Sequence, residues 1–538
     1  MNEDREVRFR SCIVVCRLEV RPQLVKARAV VCDSFMTHHA GGVPSIAVKR
    51  GGAEDIMQET ELKLELSQSG ARSLLKKNPF GSPPTILQQR SIYFDTTGWD
   101  LSKRGLSLRI RQSGNERIQT LKAGDGAAAG SFTREELERP VAGDTPILDD
   151  PRIRDLLAGD GRKLTPLFEV HVKRHRWNVI DGDATVEVAL DAGKVVATDR
   201  EAPLCEIELE KKAGSPRALF ALARKVDLIT PAHLGVLSKA ERGYRLLSSA
   251  PGAVKSAATP LTSEMSAATA FARIAAACLK QFRLNETALG WSRDADALHQ
   301  ARVSLRRLRS LCSICKSLFD DSRFDHLREE LKWLASELGE ARNIDVMIGR
   351  ASSEALSSRL QDARDDAYAA VEASLSSVRA RSLMIDATEW ISIGDWRTQS
   401  EEKLHEQSSR NLASGVFDKF WKKVAKGGND LIDADDETRH KVRIAAKKLR
   451  YAAEFFEPLY NSKAEAKRHR RFIEAMKGLQ DHLGSLNDIA TAPDMLAALE
   501  LSDVAGAKDL FSAEDKSKLL KDAAEAHDAF VSTRRFWR

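Results

Sequence analysis

Between positions 59 and 66 the chain reads Glu-Thr-Glu-Leu-Lys-Leu-Glu-Leu, so Glu59, Glu61, Lys63 and Glu65 fall at every second residue. Alternate side chains of a strand leave opposite faces, which puts these four charges on one side and Leu62, Leu64 and Leu66 on the other. The alternation returns at Leu204–Glu210, where Glu206, Glu208 and Glu210 interleave with Cys205, Ile207 and Leu209. Bases follow the same rule: Ser107, Arg109 and Arg111 alternate with Leu106, Leu108 and Ile110, Arg174 shares a face with Arg176, and Arg134 shares one with Glu136 and Glu138. Carboxylates on separate strands (Glu59/Glu61 and Glu208/Glu210) suit hard divalent cations such as Mg2+ or Mn2+. Guanidinium and ammonium groups suit phosphate oxygens. A metal site beside crowded bases is equipment for cleaving a phosphoanhydride bond.

Those residues need strands to position them. Beyond 59–66, strand-like runs recur at Leu106–Arg111, Arg117–Lys122, Phe132–Val141, Phe168–Asn178, Thr185–Leu190 and Leu204–Glu210. Gly-rich turns at 124–130 and 181–183 separate them, and short helical patterns lie at Ser67–Lys77 and Pro216–Leu228. One strand with a charged face is ordinarily the solvent side of a half-buried sheet. So many strands with faces of mixed charge require another arrangement, a closed barrel whose apolar side lies under helices and whose charged side lines a lumen. Acids and bases crowded there are costly unless paired, metal-bound or neutralised by a ligand. No G-x-x-x-x-G-K-[ST] loop and no G-x-S-x-G elbow occurs, so neither a P-loop nor a serine nucleophile is expected.

The ordered series Glu59-x-Glu61-x-Lys63, Tyr93-Phe94-Asp95-Thr96, Arg109-x-Arg111, Leu121-Lys122, Arg134-x-Glu136, Glu206-x-Glu208-x-Glu210 and Lys239-Ala240-Glu241-Arg242-Gly243-Tyr244 resembles the CYTH, or triphosphate tunnel metalloenzyme, superfamily over residues 57–248. The resemblance implies an eight-stranded antiparallel tunnel holding a linear triphosphate. It implies metal-binding acids at Glu59, Glu61, Glu208 and Glu210, with Glu136, Glu187 and Asp191 as further candidates. It implies phosphate-binding bases at Lys63, Arg109, Arg111, Lys122, Arg134, Arg174, Arg176, Lys239 and Arg242. Glu61, Lys63 and Arg109 are the expected catalytic groups, with Mg2+ or Mn2+ as cofactor.

After residue 263 the period becomes helical and the sequence repeats itself. His299, Arg302, Arg306 and Arg309 return as His440, Arg443, Lys447 and Arg450, and Leu338-Gly339 through Asn343 is echoed by Leu483-Gly484 through Asp488. Self-similarity of this kind indicates a duplicated helical unit. At about 100° per residue, each set of four falls within an arc of about 80°, one basic stripe per helix with no acid among its members. Arg307 and Lys448 fall off the stripe. A pair of such stripes suits a long polyanion, and the histidines would strengthen binding as pH falls. The half resembles the CHAD domain, which implies inorganic polyphosphate as its partner. Trp333, Trp390, Trp396, Phe420 and Trp421 sit at apolar helical spacings and read as core, so nucleic acid is not expected.

The organisation expected is multidomain α+β: a barrel at 57–250, a small-residue linker at 251–263 and an all-α bundle at 264–538. Residues 1–56 are Arg-rich and irregular and hold three of the seven cysteines; they read as a poorly ordered extension or as sequence ahead of a natural start at Met57. Cys312 and Cys315 form a CxxC inside an apolar helical pattern, and core thiols are expected rather than a redox pair. The 538 residues, 30% charged with 84 Lys+Arg against 78 Asp+Glu, contain no run long and apolar enough for a membrane span. The expected protein is a cytoplasmic triphosphatase, on polyphosphate granules or free. The alternatives are an enzyme for an organic substrate such as thiamine triphosphate and a non-catalytic polyphosphate binder.

Overall fold

The structure, a computed structural model, describes residues 58–124, 130–149, 154, 164–248, 252–319, 321–399, 406–510 and 516–538. The segment 1–56 lies outside the described residues. The first half runs β1 (Gln58–Leu66), α1 (Gln68–Lys77), β2 (Thr85–Asp95), α2 (Asp100–Lys103), β3 (Leu106–Ser113), β4 (Glu116–Ala123), β5 (Ser131–Pro140), β6 (Thr165–Asp181), β7 (Ala184–Ala197), β8 (Arg200–Ala213), α3 (Arg217–Asp227), β9 (Ala232–Leu234) and α4 (Lys239–Leu247).

The sheet order is β5-β4-β3-β2-β6-β7-β8-β1, and β1 pairs back onto β5, which closes the ring. Every pairing is antiparallel. The expected eight strands form that ring, but the sheet has nine: β9 lies against β1 through Leu64–Leu66, beyond the stretch that β5 occupies. Three residues are too few for an alternation to show in sequence. β2 is also absent from the strands predicted by charge alternation. Its end is apolar on both faces, Ile92 and Phe94 packing with Leu106, Leu108 and Ile110 while Tyr93 packs with Phe168 and Val170.

The outward faces carry Leu62, Leu64, Val186, Val188, Leu190, Ile207 and Leu209, all buried under α1, α3 and the helices that follow. The inward faces are not polar throughout, which corrects the expectation of a wholly charged lumen. Val195, Ala197 and Leu204 continue the faces that carry Asp191 and Glu206, and with Tyr93, Phe168, Val170 and Val172 they form an apolar cluster around Ala240 of α4. Helix α4 thus stoppers one end of the ring. It is held by a capping box at Ser238 and Glu241. A Cβ at Gly243 would collide with the Phe168 ring, so the close seat of α4 requires glycine there.

Residues 252–265 connect to the helical half without forming a helix, and they are pinned: Leu261 and Thr259 are buried, and Val254 N–H donates to Asn285. The helices are α5 (Ala267–Leu289), α6 (Ala295–Ile314), α7 (Ser322–Ile348), α8 (Glu354–Leu375), α9 (Val378–Ile393), α10 (Trp396–Gln399), α11 (Ser409–Gly427), α12 (Asp436–Phe455), α13 (Lys463–Ala498) and α14 (Lys516–Ser532). The duplication is visible in the caps. Ser266, Asp294 and Asp321 start α5, α6 and α7, and Ser408, Asp435 and Ser462 start α11, α12 and α13, each side chain accepting a first-turn N–H. Ser266 and Ser408 meet in an antiparallel bridge, so the two units touch at equivalent points.

Trp390, Trp396 and Phe420 are buried, as their spacing predicts, whereas Trp333 and Trp421 are only partly buried, with Arg379 and Arg535 over their rings. Cys278, Cys312 and Cys315 are buried free thiols, and burial pushes all three up, Cys278 to about 11. That state resists thiolate chemistry and suits packing. No helix among the described residues is long and apolar enough to cross a membrane.

Candidate active site

Strand register assembles the site. On β1 and β8, Glu61 lies opposite Glu210, Lys63 opposite Glu208 and Glu65 opposite Glu206; on β6, β7 and β8, Arg174 lies opposite Asp191, and Asp191 opposite Glu206. Asp191, Glu206 and Glu208 bring carboxylate oxygens within 4.8 Å of one another. Lys239, at the start of α4, points its ammonium into that convergence, 2.8 Å from Asp191 Oδ2, 2.6 Å from Glu206 Oε1 and 2.8 Å from Glu208 Oε1. Arg174 donates to both oxygens of Asp191, at 2.7 and 2.6 Å, and to Glu208 Oε2 at 2.7 Å. Lys63, 4% exposed, pairs with Glu208 and lies 3.5 Å from Glu61. Burial favours the neutral acid at Glu208, yet Lys239, Lys63 and Arg174 together hold its carboxyl well below the usual range.

Three carboxylates with oxygen-only ligands match the chemistry of Mg2+ or Mn2+. In this structure an ammonium occupies the centre of the cluster, and Arg174 covers the back of Asp191. Glu61 and Glu210, opposite each other on β1 and β8, share the inward parity of Glu208. Asp191, Glu206 and Glu208 are the acids whose oxygens converge closely enough to share a divalent ion.

Across the ring the lumen is basic. Arg109 lies opposite Tyr93 on one side and Thr120 on the other. Its Nε is buried with no hydrogen-bond partner among the described residues. The neighbouring charge of Arg109, with burial second, pushes Arg111 down to about 10, although Glu138 lies 3.6 Å away. Burial and then Arg109 push the Lys122 amine down to about 7, even though it pairs with Glu136. Cations forced together in this way are stabilised by an incoming polyanion. If the lumen takes the triphosphate that the resemblance implies, its affinity should therefore fall between about pH 6 and about pH 8 as Lys122 loses its proton, and Lys122→Arg should flatten that fall. Calorimetric titration of both proteins in EDTA checks this; equal pH slopes would remove Lys122 from the binding set.

The structure brings Glu61, Lys63, Glu208, Asp191, Arg174 and Lys239 together. Arg242 joins them at the stoppered end, its Nε 3.5 Å from Glu206. Glu136 is set against Lys122, and Glu210 against Lys212. Arg176 and Glu187 stand 3.9 Å apart, with Arg176 half exposed toward the start of β2. The side chains of Glu59 and Arg134 lie outside the described residues; their backbones pair directly. Glu206 is the acid that the expected metal set omits. It has the same parity as Glu208 and Glu210, and its register partner on the adjacent strand β7, Asp191, reveals its place. Asp95 of the Tyr93–Thr96 series serves the fold: its carboxylate accepts from the N–H groups of Thr96, Leu101 and Ser102 and from Tyr244 OH.

In the helical half the two stripes converge. Lys447 is pushed down to about 7 by burial, then by Arg443 and by Arg306 from the other copy. Arg302 is lowered to about 10 by burial, Arg306 and Arg342, and His299 falls below its ordinary value through burial, Arg342 and Arg306. The echoed segments on α7 and α13 serve these bases. Arg302 donates to Leu338 O at 3.0 Å, and Asn487 Oδ1 lies 2.9 Å from His440 Nδ1 and 3.3 Å from Arg443 Nη1. Arg306 donates to Tyr451 OH at 2.6 Å, and Arg309 faces Glu329 at longer range. The four members of each stripe include no acid, but the second stripe is not without i,i+4 pairing: Arg450 pairs with Glu454 at 3.1 Å. Arg307 and Lys448 do leave the stripe, to Glu454 and to Ser313.

A closed antiparallel ring with an acid-and-base lumen, joined to a duplicated helical module with a shared basic face, defines the class. Residues 57–244 match the CYTH domain and residues 273–497 the CHAD domain; the chain is a CYTH–CHAD protein. An inorganic triphosphatase of Haemophilus influenzae is 32% identical over 203 residues, 36% of this chain and 56% of that protein, so little more than half of that relative is spanned. An uncharacterized protein of Mycobacterium tuberculosis is 25% identical over 409 residues, 68% of this chain and 75% of its own length. The crystal structure of the CHAD domain from the plant Ricinus communis aligns at 26% identity and a TM-score of 0.45, covering 53% of this chain and 98% of that one.

Proposed function

We propose that the ring hydrolyses inorganic triphosphate with Mg2+ or Mn2+ and that the helical half binds inorganic polyphosphate. The observation that carries the reading is the division of one lumen: Arg109, Arg111 and Lys122 on β3 and β4 face Glu61, Glu208 and Glu210 on β1 and β8. A pure anion binder gains nothing from those acids. The H. influenzae relative supports the reaction class.

The bases stretch the phosphate chain along the lumen, with Arg109 and Arg111 on its inner oxygens and Lys63 and Arg174 beside the terminal phosphoryl group. A divalent ion held by Glu61, Glu208 and Glu210 would supply charge neutralisation for the oxygens of the breaking bond. A lumen glutamate accepts a hydrogen bond from the attacking water. The water oxygen bonds to the terminal phosphorus as the bridging P–O bond breaks, giving phosphate and pyrophosphate. Transfer of this kind needs positioning and charge stabilisation and no covalent nucleophile. The apolar stopper at α4 shuts one end, so a short linear chain enters from the other.

Phosphate release should be rapid from triphosphate with Mg2+ or Mn2+, slow from pyrophosphate, ATP and thiamine triphosphate, and absent in EDTA. Preference for thiamine triphosphate would move the assignment to an organic substrate. Silence on every substrate, with polyphosphate still bound, would leave a binding protein.

A further inference from the structure

The charge network of the lumen does not stop at the barrel wall. Glu65 has the same parity on β1 as Glu61 and Lys63, and its Oε1 accepts from Arg242 Nη2 at 2.5 Å. Arg242 in turn sits 3.5 Å from Glu206, which holds Lys239 at 2.6 Å in the carboxylate cluster. The other oxygen of Glu65 faces Arg283 of α5, in the helical half, at 3.7 Å. Arg283 is 4% exposed and is fastened from three sides: it donates to Leu234 O of β9 at 3.0 Å, pairs with Glu286, and meets Glu65. Glu286 is itself 3.6 Å from His233 of β9. A few residues away, Lys280 of α5 reaches Glu241 of α4 at 2.5 Å.

We propose that Arg283 is a positioning residue for the reaction in the ring, contributed by the helical half. It fixes Glu65, and Glu65 sets where Arg242 stands between itself and Glu206. Without Arg283, Glu65 turns wholly to Arg242 and draws it away from Glu206. Lys239 then follows Glu206, and the ammonium that balances Asp191 and Glu208 is displaced. This inference rests on the triphosphatase reading.

The same domain boundary supplies a control. Arg381 of α9, 6% exposed, pairs with Asp227 of α3 at 2.5 Å and makes no contact with Glu65, Arg242 or Glu206 among the ion pairs of the described residues. In the full-length chain, Arg283→Met is expected to lower kcat for triphosphate about 10-fold or more, with KM changed less than about 3-fold and the pH–rate profile displaced. Arg381→Met should keep wild-type kcat at a temperature where both are folded by circular dichroism. Arg283→Lys should recover part of the loss. Wild-type kcat in Arg283→Met, or equal losses in the two Met variants, would overturn the proposal. If Arg283→Met does not fold, Glu65→Gln tests the same link: a kcat loss of similar size supports it, and unchanged kcat overturns it. A wild-type chain without turnover overturns the triphosphatase reading as well, whereas wild-type turnover with an unaffected Arg283→Met overturns this inference alone.

Discussion

Glu208→Gln is expected to lower triphosphate turnover by about 100- to 1,000-fold, the size of effect that follows loss of one preorganised charged group at a reacting centre. Glu208 is the residue at which Lys63, Lys239 and Arg174 meet, and it belongs to the carboxylate cluster with Asp191 and Glu206. The amide keeps the side chain's volume but aims N–H groups at cations. If Glu208 helps to hold the ion, the Mg2+ or Mn2+ concentration for half-maximal turnover should rise, while triphosphate affinity in EDTA should stay level or strengthen because a negative charge has gone. That split separates a catalytic part from general damage. Steady-state phosphate release and a melting curve on the same sample check it; wild-type kcat with a lowered Tm would make Glu208 a structural acid only.

The same substitution has a signature in pH. Folded-state stabilisation of the Glu208 carboxylate is present above its ordinary pKa of about 4.5 and is lost as pH falls toward its depressed folded value. The stability gap between wild type and Glu208→Gln should therefore be widest near neutrality, about 3–5 kcal/mol if the pair behaves as other broken buried pairs do, and should close on acidification. A gap that widened in acid would contradict the depressed carboxyl.

Combined replacement of Arg306 and Lys447 by alanine is the second large expected effect, a fall of about 100-fold in polyphosphate affinity. A charge-assisted hydrogen bond to phosphate is worth about 1.5 kcal/mol, and removing two of them amounts to that factor. Arg306 belongs to α6 and Lys447 to α12, and Arg306 donates to Tyr451 OH of α12 at 2.6 Å, so the two copies meet at this face. Because the Lys447 amine is pushed down to about 7, wild-type affinity should fall as pH rises past neutrality, and Lys447→Arg should keep it level. Deleting two phosphate-binding cations should also flatten the salt dependence. Fluorescence anisotropy of labelled polyphosphate at several salt concentrations and pH values checks all three; an unaltered affinity in the double variant would place the polymer elsewhere or nowhere on the chain.

Particular residues show how far the alternation could be read. Glu61, Lys63, Arg109, Arg174 and Glu208 were legible because a strand has a period of two, and a charge at every second position identifies a face without any partner being known. The basic stripes were legible for the analogous helical reason, and the repeat reinforced them. Glu206 and Lys239 were harder: each lies in a recognisable run, but nothing local says that an ammonium from α4 enters the space between Asp191, Glu206 and Glu208. Glu454 is a further case. It stands four residues beyond Arg450 and so was visible, yet whether it turns to Arg450 or to solvent depends on the packing of α12.

The amino-acid order by itself therefore determined which side chains share a face, that the strands close on one another, and that the second half is built twice. Tertiary structure alone decided which faces confront each other and which charges are neutralised. It placed an apolar stopper along inward faces that begin as acids, and it brought Arg283 from one half against Glu65 of the other. The physical reason is range. Backbone geometry acts over neighbouring residues and leaves a periodic trace, whereas an ion pair between residues far apart in the chain is selected by its three-dimensional path and leaves none.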